Sequence, residues 1–257
     1  MRMFVRSLAL AVVLGSFTIP CRASETSPDH SAYDALLHRY ALPAGVDYRS
    51  WSSNKEDLAT LRSYIVSLER QAPSRLERSE ALAYWINLYN AATLNLILDH
   101  YPVASIKDIG TALSSPWKKK VVTVEGKQLS LNEIENDIVR PSFLEPRIHF
   151  ALNCAARSCP PLRPGAFVGP QLESQLEEQT IAFVGDAKKN YVDDKGTLHL
   201  SKIFDWYAKD FEEAKGSAVA FVKPYISALQ AYAVTGATPQ VKFEDYDWSL
   251  NETAIAP

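Results

Sequence analysis

Hydrophobic positions recur at helical spacing along most of the chain. Tyr33, Leu36, Leu37 and Tyr40 predict a short amphipathic helix over 31–40, and Leu58, Leu61, Tyr64, Ile65 and Leu68 predict a second over about 54–70, stopped by Pro73. Between them, Val46-Asp-Tyr48 reads as a brief extended piece. The strongest pattern runs from Glu80 to Leu98 without a Gly or Pro and is apolar nearly all round, with Ser79 as the expected N-cap. Such a helix belongs at the centre of the body. Within it Asn87 and Asn90 lie three apart, Thr93 continues their line, and Trp85 flanks them. A buried amide without partners costs about 1 to 3 kcal/mol, so these amides either hold neighbouring loop backbone or line a substrate pocket.

Further along, His100-Tyr-Pro102 ends this helix, and two β-rich runs, Val121–Val124 and Lys127–Leu129, flank Glu125-Gly126 as a hairpin. Ser130 with Glu133 makes a capping box for a helix to Val139, closed by Arg140-Pro141. Next, Ile148, Phe150 and Leu152 alternate with His149, Ala151 and Asn153, which predicts a buried strand with His149 on the face opposite the large apolar residues. Helices are then expected over about 170–183, 203–207 and 218–232, a strand over 197–200, and an aromatic tail from Val241 that begins as a strand and docks on the body. The sum is an α+β fold, a mostly helical single domain over 31–252 with a small central antiparallel sheet, and papain/transglutaminase-like is the candidate architecture.

The first residues change the picture of where the chain works. Arg2 and Arg6 precede an apolar run from Leu8 to Ile19, and Cys21-Arg22-Ala23 ends it, which describes an export signal cut after Ala23. The run is shorter than the roughly 20 residues of a membrane span. Pro20 before Cys21 argues against a lipid anchor. Residues 24–30 read as a flexible leader, and the mature protein is expected to be periplasmic or secreted, without stable membrane insertion. Cleavage removes three arginines and no acid, taking the net charge from -3 to -6. That balance excludes a nucleic-acid binder, which would carry a basic face. It also leaves Cys154 and Cys159 as the only thiols, in an oxidising compartment. About 230 mature residues, with 47% of the chain hydrophobic, can bury a substantial core without staples.

The candidate chemistry sits in Arg147–Leu162. His149, Cys154 and Cys159 crowd together there, ahead of a Pro160-Pro161 stop. Asn153 is expected to cap a turn that begins at Cys154, where the positive end of a helix would raise the thiolate fraction. A nucleophilic thiol also needs a base, usually His, held by a carboxylate or amide. The sequence offers Cys154 as nucleophile with Cys159 as substitute, His149 as base, Glu135 as orienter, and Asn87, Asn90 and Trp85 as positioning residues. A small peptide or amide substrate, with no cofactor, is the matching expectation. Two quieter readings stand beside it: a structural Cys154–Cys159 disulfide in a non-catalytic binding or scaffold module, and a metal site from His149, Cys154 and Cys159 whose spacing fits no common zinc pattern. No phosphate loop, His-Glu-x-x-His helix or Gly-x-Ser-x-Gly elbow occurs.

Five blocks, Tyr84–Ala91, Leu129–Glu135, Ile148–Leu162, Leu200–Tyr207 and Tyr246–Asn251, resemble the domain of unknown function 547 family in order and in kind. The resemblance implies no activity. Many members carry His after the Ile-Glu pair, where this chain has Asn136. That departure weakens the metal reading and leaves His149 as the only nearby imidazole.

Overall fold

The computed structural model describes residues 27–110, 114–229 and 238–253. The expected export signal and its cleavage point lie outside the described residues. The body starts before Ser31, because Pro28 and His30 are buried and His30 Nδ1 lies 2.7 Å from the Tyr64 hydroxyl. Helix α1 (Ser31–Tyr40) and helix α3 (Lys55–Glu69) follow the expected apolar stripes, with a short helix α2 (Tyr48–Ser53) between them. Asn54 caps α3 by accepting from the Glu56 and Asp57 amides. The extended piece is confined to strand β2 (Gly45–Val46), which pairs with β1 (Ala41–Leu42), so Tyr48 opens α2 and is not extended.

The central helix α4 spans Arg78–Leu98, beginning one residue before the expected cap, and is buried from Ala81 to Leu94 on every side. Strands β3 (Lys120–Val124) and β4 (Lys127–Ser130) form the expected hairpin around Glu125-Gly126. Helix α5 (Leu131–Glu133) starts with both halves of its capping box made. It then widens into a π turn over Ile134–Val139 and tightens again into α6 (Arg140–Phe143). Arg140-Pro141 therefore does not close the helix. Pro141 falls in a first turn, where a missing N–H is tolerated.

The expected strand at 148–153 is instead a helical turn, α7 (Ile148–Ala151). Its entry is folded by amide bonds from Ile148 to Glu145 O and from His149 to Pro146 O, just after a proline. Alternation misleads here because the turn is wedged between two apolar clusters and has no wet face. Ile148, Ala151 and Leu152 belong to the larger cluster built on α1, α3 and α4. Phe150 belongs to a smaller, Phe-rich cluster with Phe183, Phe204, Phe211 and Phe221. That second cluster is made by α8 (Leu172–Val184), β5 (Tyr191–Val192), β6 (Leu198–Leu200), α9 (Ile203–Trp206), α10 (Ala208–Lys215) and α11 (Ala218–Val222). The helix expected over 218–232 stops at Val222 because Pro224 cannot continue it, and residues 230–232 lie outside the described residues.

Helices dominate and the sheets are small, as an α+β fold requires. Strand β7 (Val241–Phe243) joins β6 in parallel, Leu198 opposite Val241, while β5 pairs antiparallel with β6. Among the described residues no helix is long and apolar enough to cross a membrane.

Candidate active site

The two asparagines of α4 act on backbone. Asn87 donates to Phe167 O at 2.7 Å and accepts from the Phe167 amide at 2.9 Å. Asn90 donates to Ala151 O at 2.9 Å and accepts from the Asn153 amide at 2.8 Å. Both amides thus use their two ends on one neighbouring chain segment, as a strand partner would. Thr93 bonds back to Tyr89 O, and Trp85 packs edge-on against Tyr84. None of these residues is among those lining the cleft described below. Asn90 holds the segment that leads into the cysteine loop, and Asn87 holds the chain at Phe167.

Asn153 continues the work that Asn90 begins. Its Oδ1 accepts from the Ala155 amide at 2.9 Å and its Nδ2 donates to Pro160 O at 2.8 Å, closing the loop that carries both cysteines. The tail lies along the outside of that loop, with Arg157 N–H donating to Ser249 O at 2.9 Å and Asn251 N–H to Ala155 O at 3.1 Å. Ala155 is held at a φ of 59°, a left-handed value that a residue with a Cβ adopts only when its surroundings impose it. No helix starts at Cys154, so a helix dipole is not what tunes these sulfurs. Local donors do so. The Cys154 amide points at Cys159 Sγ from 2.9 Å, the Tyr246 hydroxyl lies 3.1 Å from Cys154 Sγ, and Lys189 Nζ donates to Cys159 O at 2.7 Å.

Both cysteines are free thiols, and Cys159 Sγ lies against the backbone amide of Cys154. The pair is polarised. Burial alone would raise the Cys159 pKa, but the Cys154 thiol and amide and the charge of Lys189 outweigh it and bring it below the ordinary thiol value. The Cys159 hydrogen bond, with burial behind it, pushes Cys154 well up. Cys159 is the sulfur whose ionised form is favoured and Cys154 the one held as thiol, the reverse of the order that a helix start at Cys154 would set.

His149 faces the same cleft from α7. Its Nε2–H donates to Asp210 Oδ2 at 2.8 Å, and Arg140 grips Asp210 through two bonds of 2.7 Å. Burial works to raise the Asp210 pKa, yet the hydrogen bonds from Arg140 and His149 prevail and hold it below the usual carboxylate range. The imidazole stacks on Tyr207 with ring centres 3.7 Å apart. Its Nδ1 is buried and has no hydrogen-bond partner. Glu135 stands 4.0 Å from that nitrogen while accepting from Tyr207 at 2.6 Å and Tyr89 at 3.3 Å. Asp210, and not Glu135, makes the short bond to the ring.

A cleft of about 270 Å³ is lined by Cys154, Cys159, His149 and Glu135 together. An aromatic wall makes up much of the rest of its lining. Trp206 lies 4.8 Å from Tyr246, Tyr246 4.6 Å from Trp248, and Trp117 5.4 Å from Trp248, ring centre to ring centre. Asn136 also lines the cleft and accepts from Arg140 at 2.7 Å. Among the described residues no group of three or more His, Cys, Asp or Glu is arranged to hold a metal ion. Sequence reasoning missed Asp210, Arg140, Lys189 and Tyr246 as site residues. The aromatic character of 203–207 and of the tail was a visible signal for part of this wall; Asp210 carried none.

Residues 73–184 match the family model described as protein of unknown function, DUF547. No curated protein and no solved structure matches the chain.

Proposed function

The match of residues 73–184 to the DUF547 family of proteins of unknown function brings no chemistry with it, and we propose that the chain is a thiol-dependent acyl-transfer enzyme, a hydrolase or transferase of a small peptide or amide. Cys159 is the nucleophile and His149 carries the proton. The single observation behind this reading is the polarised thiol pair in the cleft that an Asp-held imidazole also lines.

The chemistry follows from those positions. The Cys159 thiolate, its proton taken up by His149, adds to the substrate carbonyl carbon, and the leaving amine departs with that proton from the His149 imidazolium. Water, losing its proton to His149, then adds to the thioester and releases the acid, or an amine takes its place in transfer. Asp210 on Nε2 fixes the tautomer in which Nδ1 is the free base, and it stabilises the imidazolium that forms. The aromatic wall supplies apolar surface for the substrate's side chain. The export pattern of residues 1–23 supports a site of action outside the cytosol.

The test is thiol trapping followed by acylation. Iodoacetamide should label Cys159 first, at a rate that titrates below the ordinary thiol value of about 8.5, and a small acetyl thioester should leave one acetyl group on Cys159. Cys159→Ser should abolish that acyl-enzyme. If protein taken from its own compartment labels at neither cysteine until reduced, and Cys159→Ser lowers only stability, the enzyme reading falls and the disulfide scaffold replaces it.

A further inference from the structure

Acyl transfer uses one thiol and leaves Cys154 without a role. Yet Cys154 is placed with care: its sulfur bonds the Tyr246 hydroxyl, its amide donates to Cys159 Sγ, and both sulfurs belong to residues lining the same cleft. The loop between them does not depend on a covalent link for its shape. Asn153 closes it from within and the tail bonds of Arg157 and Asn251 clamp it from outside, while the Cys159 amide turns back onto Ala156 O at 3.0 Å. A structural disulfide would duplicate bonds already made. Two thiols held in contact by a loop that is stable without them can be joined and parted with little rearrangement, which is what reversible exchange requires.

We propose that Cys159 and Cys154 also form a thiol–disulfide exchange centre that reduces small disulfides bound against the aromatic wall. This activity rests on the same nucleophile as the acyl-transfer reading. The Cys159 thiolate attacks one sulfur of the bound disulfide, forming a mixed disulfide and expelling the other half as a thiolate. Cys154 then gives up its proton to that departing thiolate or to solvent. Its sulfur attacks Cys159 Sγ, closing the Cys154–Cys159 disulfide and releasing the second half of the substrate. The substrate gains two electrons from the protein pair and two protons, one from the Cys154 thiol and one from solvent, and an external dithiol restores the pair by the reverse exchange. The order of attack follows from the donors: Cys159 Sγ receives the Cys154 amide and thiol, whereas Cys154 is the group that donates.

The experiment uses the full chain, reduced, with bis(2-hydroxyethyl) disulfide as the probe and mass mapping after an acid quench. The wild type should end with a Cys154–Cys159 disulfide and both halves of the probe released as mercaptoethanol. Cys154→Ser should stop with mercaptoethanol bound to Cys159, and Cys159→Ser should react at least about tenfold more slowly. Urea midpoints check that the variants fold, with Cys154→Ala as the alternative if the serine variant does not. A wild type that halts at the mixed disulfide, or a Cys159→Ser variant that reacts as fast as the wild type, overturns the proposal. Acetyl thioester on the same variants separates the two readings. An acyl-enzyme without intramolecular disulfide removes the exchange activity alone, and a closed disulfide without acyl-enzyme removes acyl transfer alone.

Discussion

The asparagines of α4 and the imidazole of α7 are both polar groups sunk in apolar surroundings, and they are satisfied very differently. Asn87 has one bond at each end of its amide to Phe167, and Asn90 likewise joins Ala151 to Asn153. His149 has a firm bond at Nε2 and nothing at Nδ1. An unpaired buried polar atom costs about 1 to 3 kcal/mol. On the proposed reading the filled amides are scaffold and the open nitrogen is the base. This is also why the two sets, adjacent in space, should respond differently to substitution.

The largest effect on stability is expected from Asn87→Ala. It strands the Phe167 amide and carbonyl in the core, and about 2 to 4 kcal/mol should be lost in a urea titration. Iodoacetamide labelling of Cys159, measured on the folded fraction, should keep its rate. A variant of near-normal stability that no longer labels would break the contrast, because it would place Asn87 in the chemistry.

Asp210→Asn comes next, and its signature is in pH. The Asp210 carboxyl is depressed in the folded protein against burial, by Arg140 and His149, so its stabilisation is complete above the unfolded carboxylate value of about 3.9 and fades as pH falls from there through the folded value. The variant should be less stable than the wild type near neutrality by on the order of 1 kcal/mol, and the gap should narrow on acidification below about pH 4. It should also lose acyl transfer at neutral pH, because an amide can present its NH2 to Nε2 and move the imidazole proton to Nδ1. Equal acid sensitivity in both proteins would mean that Asp210 does not report on the site.

What could be read in the residues divides along the same line. Helix α4, the β3–β4 hairpin and the Ser130–Glu133 capping box were legible because each is specified by neighbours a few positions away. The crowding of polar and sulfur groups into 149–159 was legible too, and His149, Cys154 and Cys159 line one cleft. Its wiring was not. Asp210 reaches His149 from 61 positions away, out of an otherwise polar helix. The roles of the two cysteines depend on Lys189 and on an amide direction that no spacing encodes. The alternation at 148–153 pointed to a strand, and the helical turn found there follows from contact with two separate apolar clusters, a tertiary fact.

The smallest prediction uses backbone strain. Ala155 and Leu144 are both non-glycine residues with left-handed φ, 59° and 49°. Leu144 ends α6 at the position where glycine is favoured, and its side chain is 74% exposed, so it has little packing to lose. Leu144→Gly should raise stability by about 0.5 to 1 kcal/mol, the strain relieved exceeding the added freedom of the unfolded chain. Ala155 is fully buried between the cysteines, and its conformation helps fix their separation. Relief there removes a packed methyl group and loosens the loop, so Ala155→Gly should show no comparable gain and should slow closure of the Cys154–Cys159 disulfide. Parallel urea titrations and timed closure with the hydroxyethyl disulfide would compare the two. Strain that can be removed from Leu144 without changing the thiols, but not from Ala155, belongs to the site.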